Sequence, residues 1–242
     1  MDAAYITGFE APAYNHSTDL AGQQSWSIND PTTTISYFSF WNGSWAGYLG
    51  GFYNAPTVAG VNLSQTYSAP VVGTVFDVDF RIVGSSASFP NRDSFGWTFK
   101  TGSGDLVRFA FEPTTVNLDR LEIVWYDNLN VRHTILPTSQ DLFLDGDYHL
   151  KVSFNASGAD SAFTAILSGT NSVSWSGTLP GTVGATLASF GADYDVYGAV
   201  PPSSAGDNFM VFDGVSLQSV PEPAGAVLAL SACLALVSRR RR

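Results

Sequence analysis

Cysteine is all but missing. The one cysteine among 242 residues is Cys233, inside an apolar run near the C-terminal end. Everything before it is free of thiols, which excludes a cysteine nucleophile, a thiolate zinc site and a disulfide framework there. Basic residues are scarce too, with 11 Lys and Arg against 21 Asp and Glu, a net charge of −10. Four of those cations are Arg239 to Arg242; with Glu222 they give the tail +3, so the residues before it carry −13. Seven scattered cations cannot build a phosphate-binding patch, so nucleic acid is not an expected partner. An acidic body suits an exported protein and can attract divalent cations. Charged residues total only 13 %. No stretch before residue 224 keeps a helical period, so little helix is expected there.

Alternation with a period of two is present instead. In 75–83, Phe76, Val78, Phe80 and Ile82 face one way, while Asp77, Asp79 and Arg81 face the other. Such alternation predicts a strand with one buried and one wet face. The same pattern recurs in 106–111, 121–126 and 148–155. Turn signals separate these runs: Asn42-Gly43, Gly102-Ser103-Gly104-Asp105, Asp127-Asn128, Asp145-Gly146-Asp147 and Ser157-Gly158. Residues 32–54 read as two short strands around Asn42-Gly43, and 55–70 read as a loop. Ten or more short strands with frequent turns predict one antiparallel β-sandwich over 5–219.

Catalytic signatures are absent from the sequence. His16, His133 and His149 are far apart, with no His-x-His or His-Glu-x-x-His pattern for a catalytic zinc. No Gly-x-Ser-x-Gly is present for a serine hydrolase. Asp77 and Asp79 share a face, but Arg81 follows on it, and the expectation is a solvated exterior. Glu122 and Asp127 have odd spacing and so lie on opposite faces. Aromatics are 14 % of the chain. Trp26, Trp41, Trp45, Tyr48, Phe52 and Tyr53 crowd one region, where exposed rings with Asn or Asp nearby would stack on sugars. Trp41, Trp45 and Tyr48 are the candidate ligand contacts; burial in a large core is the competing expectation.

The one long apolar run lies in 220–242. Pro221-Glu222-Pro223 breaks any strand or helix. Residues 224–238 are rich in Ala, Val and Leu without charge, and predict a helix about 22 Å long, short of the ~30 Å hydrocarbon core. Arg239, Arg240, Arg241 and Arg242 follow, placing that end in the cytoplasm by the positive-inside rule, and their snorkelling makes up part of the deficit. These three parts in order resemble the PEP-CTERM sorting signal. The resemblance implies export in a Gram-negative bacterium that makes extracellular polysaccharide. It implies transient inner-membrane anchoring and removal of the helix and basic tail by exosortase, a membrane protease-transpeptidase. It covers about a tenth of the chain, and a plain tail anchor is the alternative. Met1-Asp2-Ala3-Ala4-Tyr5 is too short and too acidic to be an export leader, so a leader is expected upstream.

The body resembles the concanavalin A-like (laminin-G-like) jelly roll. The resemblance rests on Asp147-Tyr148-His149-Leu150-Lys151-Val152, Ala162-Phe163-Thr164-Ala165, Trp175-Ser176-Gly177 and the closing run 209–217. It implies that first and last strands lie side by side, bringing Glu10 near Asp213. Gly8-Phe9-Glu10 and Phe212-Asp213-Gly214-Val215 match the positions that hold a structural calcium ion in related carbohydrate-binding sandwiches. Gly214 departs from the pattern, where a further acid or Asn is common. The family's Glu-x-Asp-x-x-Glu hydrolase string is missing. The expected body is therefore non-catalytic and works with extracellular polysaccharide. A glycoside hydrolase or lyase with acids distant in sequence, and a purely structural matrix protein, are the alternatives.

Overall fold

In the computed structural model, the described residues are 4–51, 54, 56–84, 93–104, 106–115, 118–126, 129, 131–136, 141–143, 145–170, 172–196 and 208–219. They contain sixteen strands and no helix. All the pairings are antiparallel. The expected C-terminal helix and the whole segment 220–242 lie outside the described residues, as do Phe52 and Tyr53. Among the described residues no helix is long and apolar enough to cross a membrane.

The strands form two sheets. Sheet 1 runs in the order β14 (Val173–Leu179), β13 (Asp160–Gly169), β12 (Tyr148–Ser157), β6 (Thr74–Val83), β16 (Phe209–Ser219), β4 (Ser44–Gly50) and β3 (Ser36–Trp41). The first strand, β1 (Ala4–Thr7), also pairs with β16, so the chain's first and last described strands are neighbours as anticipated. Sheet 2 runs β10 (Arg132–Leu136), β9 (Leu118–Tyr126), β8 (Leu106–Thr115), β7 (Ser94–Thr101), β15 (Thr186–Asp195), β5 (Gly60–Pro70) and β2 (Trp26–Ile28). β11 (Asp141–Phe143) pairs with β9.

The two sheets meet over one apolar layer. Phe76, Val78, Phe80 and Ile82 of β6 all face it, as their alternation required. Leu150, Val152 and Phe154 of β12 join them from the same sheet. Phe95, Trp97 and Phe99 of β7, Val107, Phe109 and Phe111 of β8, and Phe190, Ala192 and Tyr194 of β15 come from the other. Aromatic edges meet faces across the layer: Trp97 and Phe212 have centroids 5.2 Å apart at 87°, an arrangement the ring quadrupoles favour. An apolar gap of about 20 Å³ beside Phe99 and Phe154 is too small for a sugar.

Residues 60–70 correct the loop expected over 55–70. They form the eleven-residue strand β5. Val61, Leu63, Tyr67 and Ala69 point inward, and Asn62, Ser64 and Thr66 point out. Polar residues diluted the apolar signal, and buried Gln65 interrupted it by occupying an inward position. The pairing partners β15 and β2 supply what local sequence lacks. The hairpin at Asn42-Gly43 is as expected: both residues have positive φ, 51° and 87°, which the tight two-residue turn demands.

Candidate functional site

The outward face of sheet 2 carries the polar half of each alternating strand. Four cross-strand rows follow from the register. Gly60, Asp195 and Ser94 form one. Asn62, Asp193, Gly96 and Ala110 form the next. Then come Ser64, Gly191, Thr98, Arg108 and Val124. Ser189, Lys100, Leu106 and Tyr126 close the set. Small residues in the middle, Gly96, Gly191 and Ala110, leave the floor low. The result is a groove of about 430 Å³, lined by Asn62, Thr98, Lys100, Arg108, Tyr126 and Asp193 among others.

Arg108 is the centre of the groove's electrostatics. Its Nε lies against Asp193 Oδ2, one terminal nitrogen is 2.9 Å from Asp195 Oδ2, and the other is 3.2 Å from Glu112 Oε1. Ser94 Oγ accepts a further hydrogen bond at 3.2 Å. The residue is only 7 % exposed, an unusual depth for a cation and one that its three carboxylates make tolerable. A side chain at position 96 would not fit beneath this pair. A Cβ there would stand 2.5 Å from Asp193 Oδ1 and 2.9 Å from Phe109 O.

Burial pushes the Asp193 carboxyl up to about 6; Arg108 opposes the rise, and the nearby Asp195 and Glu112 add to it. Burial by itself would lower the Arg108 guanidinium, but the surrounding carboxylates, Asp193 foremost, hold it above its usual range. In this pair desolvation outweighs the attraction, because Asp193 sits at the bottom of the groove with little solvent, and its carboxyl is raised. An unfolded aspartate titrates near 3.8. Between that value and about 6 the folded protein keeps a proton that the unfolded chain releases. This contribution to stability is full below the lower value and is lost as pH rises through the upper one. Urea midpoints taken from pH 4 to 7 should therefore show a component that falls with pH in the wild type and is missing in Asp193→Asn. Parallel curves for the two proteins would refute it.

The polar side chains of the groove are held from below. Asn62 Nδ2 donates to Thr98 Oγ1 at 3.2 Å, and Thr98 Oγ1 donates to Gly191 O at 3.3 Å. Asn29 Nδ2 donates to Gly60 O at 2.8 Å, tying the groove's end to the strand beneath. Tyr126 forms a partly exposed aromatic wall.

The aromatic residues singled out from the sequence stand elsewhere and do not converge. Trp41 and Tyr48 pack with Ala46 and Val211 on the outward face of sheet 1. Tyr48 is 1 % exposed, with its ring 5.1 Å from Phe209, so it offers no face to a sugar. Trp41 lies beneath the Arg81 guanidinium, 5.9 Å from the ring centroid, and is itself buried. Trp45 belongs to the opposite face, where it packs against the core and stacks on His16 at 4.2 Å. The physical reason is register: Trp41 pairs with Ser44 and Phe40 with Trp45, so the two tryptophans project to different sides.

Glu10 and Asp213 do come to the same hairpin. Glu10 Oε1 accepts from Trp45 N at 2.7 Å, and Asp213 Oδ2 accepts from Ser44 Oγ at 3.0 Å. Gly214 N donates to Asp213 Oδ1 at 2.8 Å. Two carboxylates, each accepting hydrogen bonds from the protein, supply fewer oxygens than the six to eight that a calcium ion takes. Among the described residues no group of three or more His, Cys, Asp or Glu is arranged to hold a metal.

Asp77 and Asp79 lie on the outward face of sheet 1, as the alternation implied. His149 stands between them, with Nδ1 2.8 Å from Asp79 Oδ1 and Nε2 3.1 Å from Asp77 Oδ1. Arg81 and Asp147 pair at 2.6 Å beside them. A second concavity of about 320 Å³ lies here, lined by Trp41, Asp79, Asp147, His149 and Asp213. Its carboxylates are each held by a neighbouring donor, which makes it a polar ladder across strands.

No protein-family model and no curated protein matches this sequence. Solved structures do match. The CBM2 module of the evolved Dit protein of Lactobacillus casei BL23 phage J-1 superposes with a TM-score of 0.57 at 12 % identity, over 90 % of this chain and 97 % of that one. A Lotus tetragonolobus seed lectin aligns with a TM-score of 0.50 at 10 % identity, over 92 % and 100 %. The alginate lyase vAL-1 from a Chlorella virus aligns with 0.51 at 12 % identity, over 82 % and 94 %. The described residues share the antiparallel jelly-roll fold of these structures. At such identities the likeness establishes the fold alone.

Sequence reasoning missed Arg108, Asp193, Asp195, Asn62 and Tyr126 as one group. Arg108 and Tyr126 were visible as members of alternating runs, whereas Asn62 lay in the expected loop. Nothing local joins Arg108 to an aspartate 85 positions later, because the two meet through β7, which lies between their strands.

Proposed function

We propose that residues 5–219 form a non-catalytic, glycan-binding body, and that residues 220–242 sort it to the cell surface. The observation that carries the binding reading is the sheet 2 groove. Amide, hydroxyl, carboxylate and phenol groups converge on a low floor in a volume of about 430 Å³. Sugars are bound by such sets: polar groups fix hydroxyls, and an aromatic wall covers a ring face. Support also comes from proteins of similar fold, described as a CBM2 module, a seed lectin and an alginate lyase. A glycan array probed with the full chain in mild detergent tests the reading. We expect retention on one class of polysaccharide, and a loss of about tenfold or more in Tyr126→Ala and Asn62→Ala, the size of removing a central contact. An empty array would favour a purely structural matrix protein. Unaltered binding by both variants would move the site elsewhere.

One observation favours an enzyme. Asp193 titrates near 6 and has Asp195 two residues away on the same face, as paired acids in a hydrolase or lyase would. Against this, both carboxylates bind the same guanidinium, and Asp193 is buried beneath it. Release of reducing ends or unsaturated products from bound polysaccharide would favour this second reading.

The sorting half rests on Pro221-Glu222-Pro223, the apolar run and Arg239 to Arg242. Its partners are an exosortase and, for a time, the inner membrane. Expressed with an exosortase in a Gram-negative host, the mature protein should lose the mass of the residues after the motif. Pro221→Ala/Glu222→Ala should keep it. An identical mass for both proteins would refute processing.

A further inference from the structure

Strand directions give the sandwich two unlike ends. β6 begins at Thr74, opposite Ser219, where β16 finishes. β12 and β13 meet at the same end, since Ser157 pairs with Asp160. There β14 passes to β15 through 180–185, β5 to β6 through 71–73, and β7 to β8 through 102–105. β9 passes to β10 there through 127–131, because Tyr126 faces Leu106. Backbone hydrogen bonds tie several of these turns to their neighbours: Val71 N donates to Ala185 O at 3.0 Å, Gly102 N to Thr186 O at 2.7 Å, and Gly73 N to Phe154 O at 2.8 Å.

This end is apolar for a protein surface. Leu129, Val131 and Val183 are 80 %, 49 % and 38 % exposed. They are three of the six large apolar side chains standing that far out among the described residues; the others, Ile6, Phe40 and Ile166, are spread over β1, β3 and β13. Residues 71–73, 102–104, 158–159 and 180–185 carry no charge. Asp160, which opens β13, is turned back on the next turn, where its Oδ1 accepts from Gly181 N at 3.0 Å. Asp105 and Asp127 stand in the turns by sequence, and Lys100 and Arg132 are exposed beside them. The tail leaves from this same end. β16 lies inside sheet 1, between β6 on one side and β1 and β4 on the other. Five Cα steps of at most ~3.6 Å separate Ser219 from Ala224, where the apolar run starts.

From this arrangement we infer that, while its tail is attached, the sandwich stands end-on upon the bilayer, with Leu129, Val131 and Val183 in the lipid headgroup region. This rests on 224–238 being embedded in the membrane, as proposed above. With that run in lipid, roughly 18 Å of chain at most holds the tail end of the sandwich to the bilayer. Exposed leucine and valine side chains favour the boundary between headgroups and acyl chains. Three of them bind weakly alone, but the short tether makes the contact intramolecular and so populates it. Lys100 and Arg132 add cations within reach of lipid phosphates.

Fluorescence quenching on the full chain in nanodiscs of phosphatidylethanolamine and phosphatidylglycerol tests it. The body is free of thiols, so a Cys233→Ser background accepts single labels. Ala159→Cys and Ser103→Cys report on the tail end and Thr170→Cys on the far end, all at exposed positions. A nitroxide on the lipid headgroup is their quencher. Cys233 of the unaltered chain, labelled and probed with an acyl-chain nitroxide, reports on the tail itself. We expect quenching at 159 and 103 about threefold or more above that at 170, because the tether keeps one end at the lipid. Leu129→Asp/Val183→Asp puts charges on two exposed positions and should cut quenching at 159 and 103 to about half. Equal quenching at both ends overturns the inference, and so does unchanged quenching in the double variant. Labels at 159 and 103 that are silent in lipid alone, and shielded only when an exosortase is reconstituted beside the chain, assign this end to that enzyme and overturn the lipid assignment. An unquenched Cys233 label overturns the membrane reading of the tail first, and the end-on stance falls with it.

Discussion

Arg108→Met should destabilise the fold by about 3–5 kcal/mol at pH 7, the usual cost of removing one partner from a buried ion pair. The substitution leaves Asp193 at the floor of the groove without a counter-charge, and leaves Asp195 and Glu112 to repel each other. Size is not the cause, since methionine fills much of the arginine stem. The loss should shrink toward pH 5, where Asp193, already pushed up to about 6, takes a proton and no longer needs a partner. A compensating change separates charge from packing. Arg108→Met/Asp193→Leu replaces the buried pair by apolar groups and should recover most of the stability, because burying two well-packed apolar side chains avoids desolvating two ions. Urea unfolding at pH 7 and pH 5 measures both variants. A single variant within about 1 kcal/mol of the wild type at pH 7 would show that the network is an exposed one, worth no more than a surface pair.

Gly191→Ala should cost about 3 kcal/mol, at the high end for forcing one extra carbon into a packed site. The residue lies in the middle of β15, between β5 and β7. A Cβ there would stand 2.2 Å from Leu63 O and 2.8 Å from Ser64 Cα, and both are backbone atoms that cannot swing away. The strands would have to separate, and the Thr98 hydrogen bond to Gly191 O would lengthen with them. The change also raises the groove floor beside Arg108, so glycan binding should weaken together with stability. Gly22→Ala supplies a contrast. A Cβ there meets nothing within 4 Å, but its φ of +89° is a backbone strain for alanine. That variant should lose about 1 kcal/mol through conformation alone, leaving glycan binding unchanged. Thermal melts of both proteins, with binding measured on each, distinguish a clash in the sheet from strain in a loop.

How much could be read beforehand differs between elements. β6 and β12 were legible because four apolar side chains in a row alternate with charges. The Asn42-Gly43 turn was legible because few residues accept positive φ. β5 was not: its inward set includes Gln65, whose Nε2 is satisfied by Gln24 O from a distant loop. The site was less legible than the fold. Trp41, Trp45 and Tyr48 drew attention as neighbours in sequence, yet hairpin register sends Trp41 and Trp45 to different faces.

Alternation of apolar and polar residues, turn chemistry and scarce cysteine are properties of short stretches. They were enough to determine a thiol-free antiparallel sandwich, and the Pro-Glu-Pro, apolar and arginine segments were enough to mark the tail for a proposed address. Which outward side chains meet is a property of strand order instead. Arg108 and Asp193 become neighbours only when β8 and β15 settle on either side of β7, and the groove exists only because Gly96 and Gly191 meet in adjoining rows. Pairings between strands far apart in the chain depend on burial of the whole core, so no local pattern could have announced them.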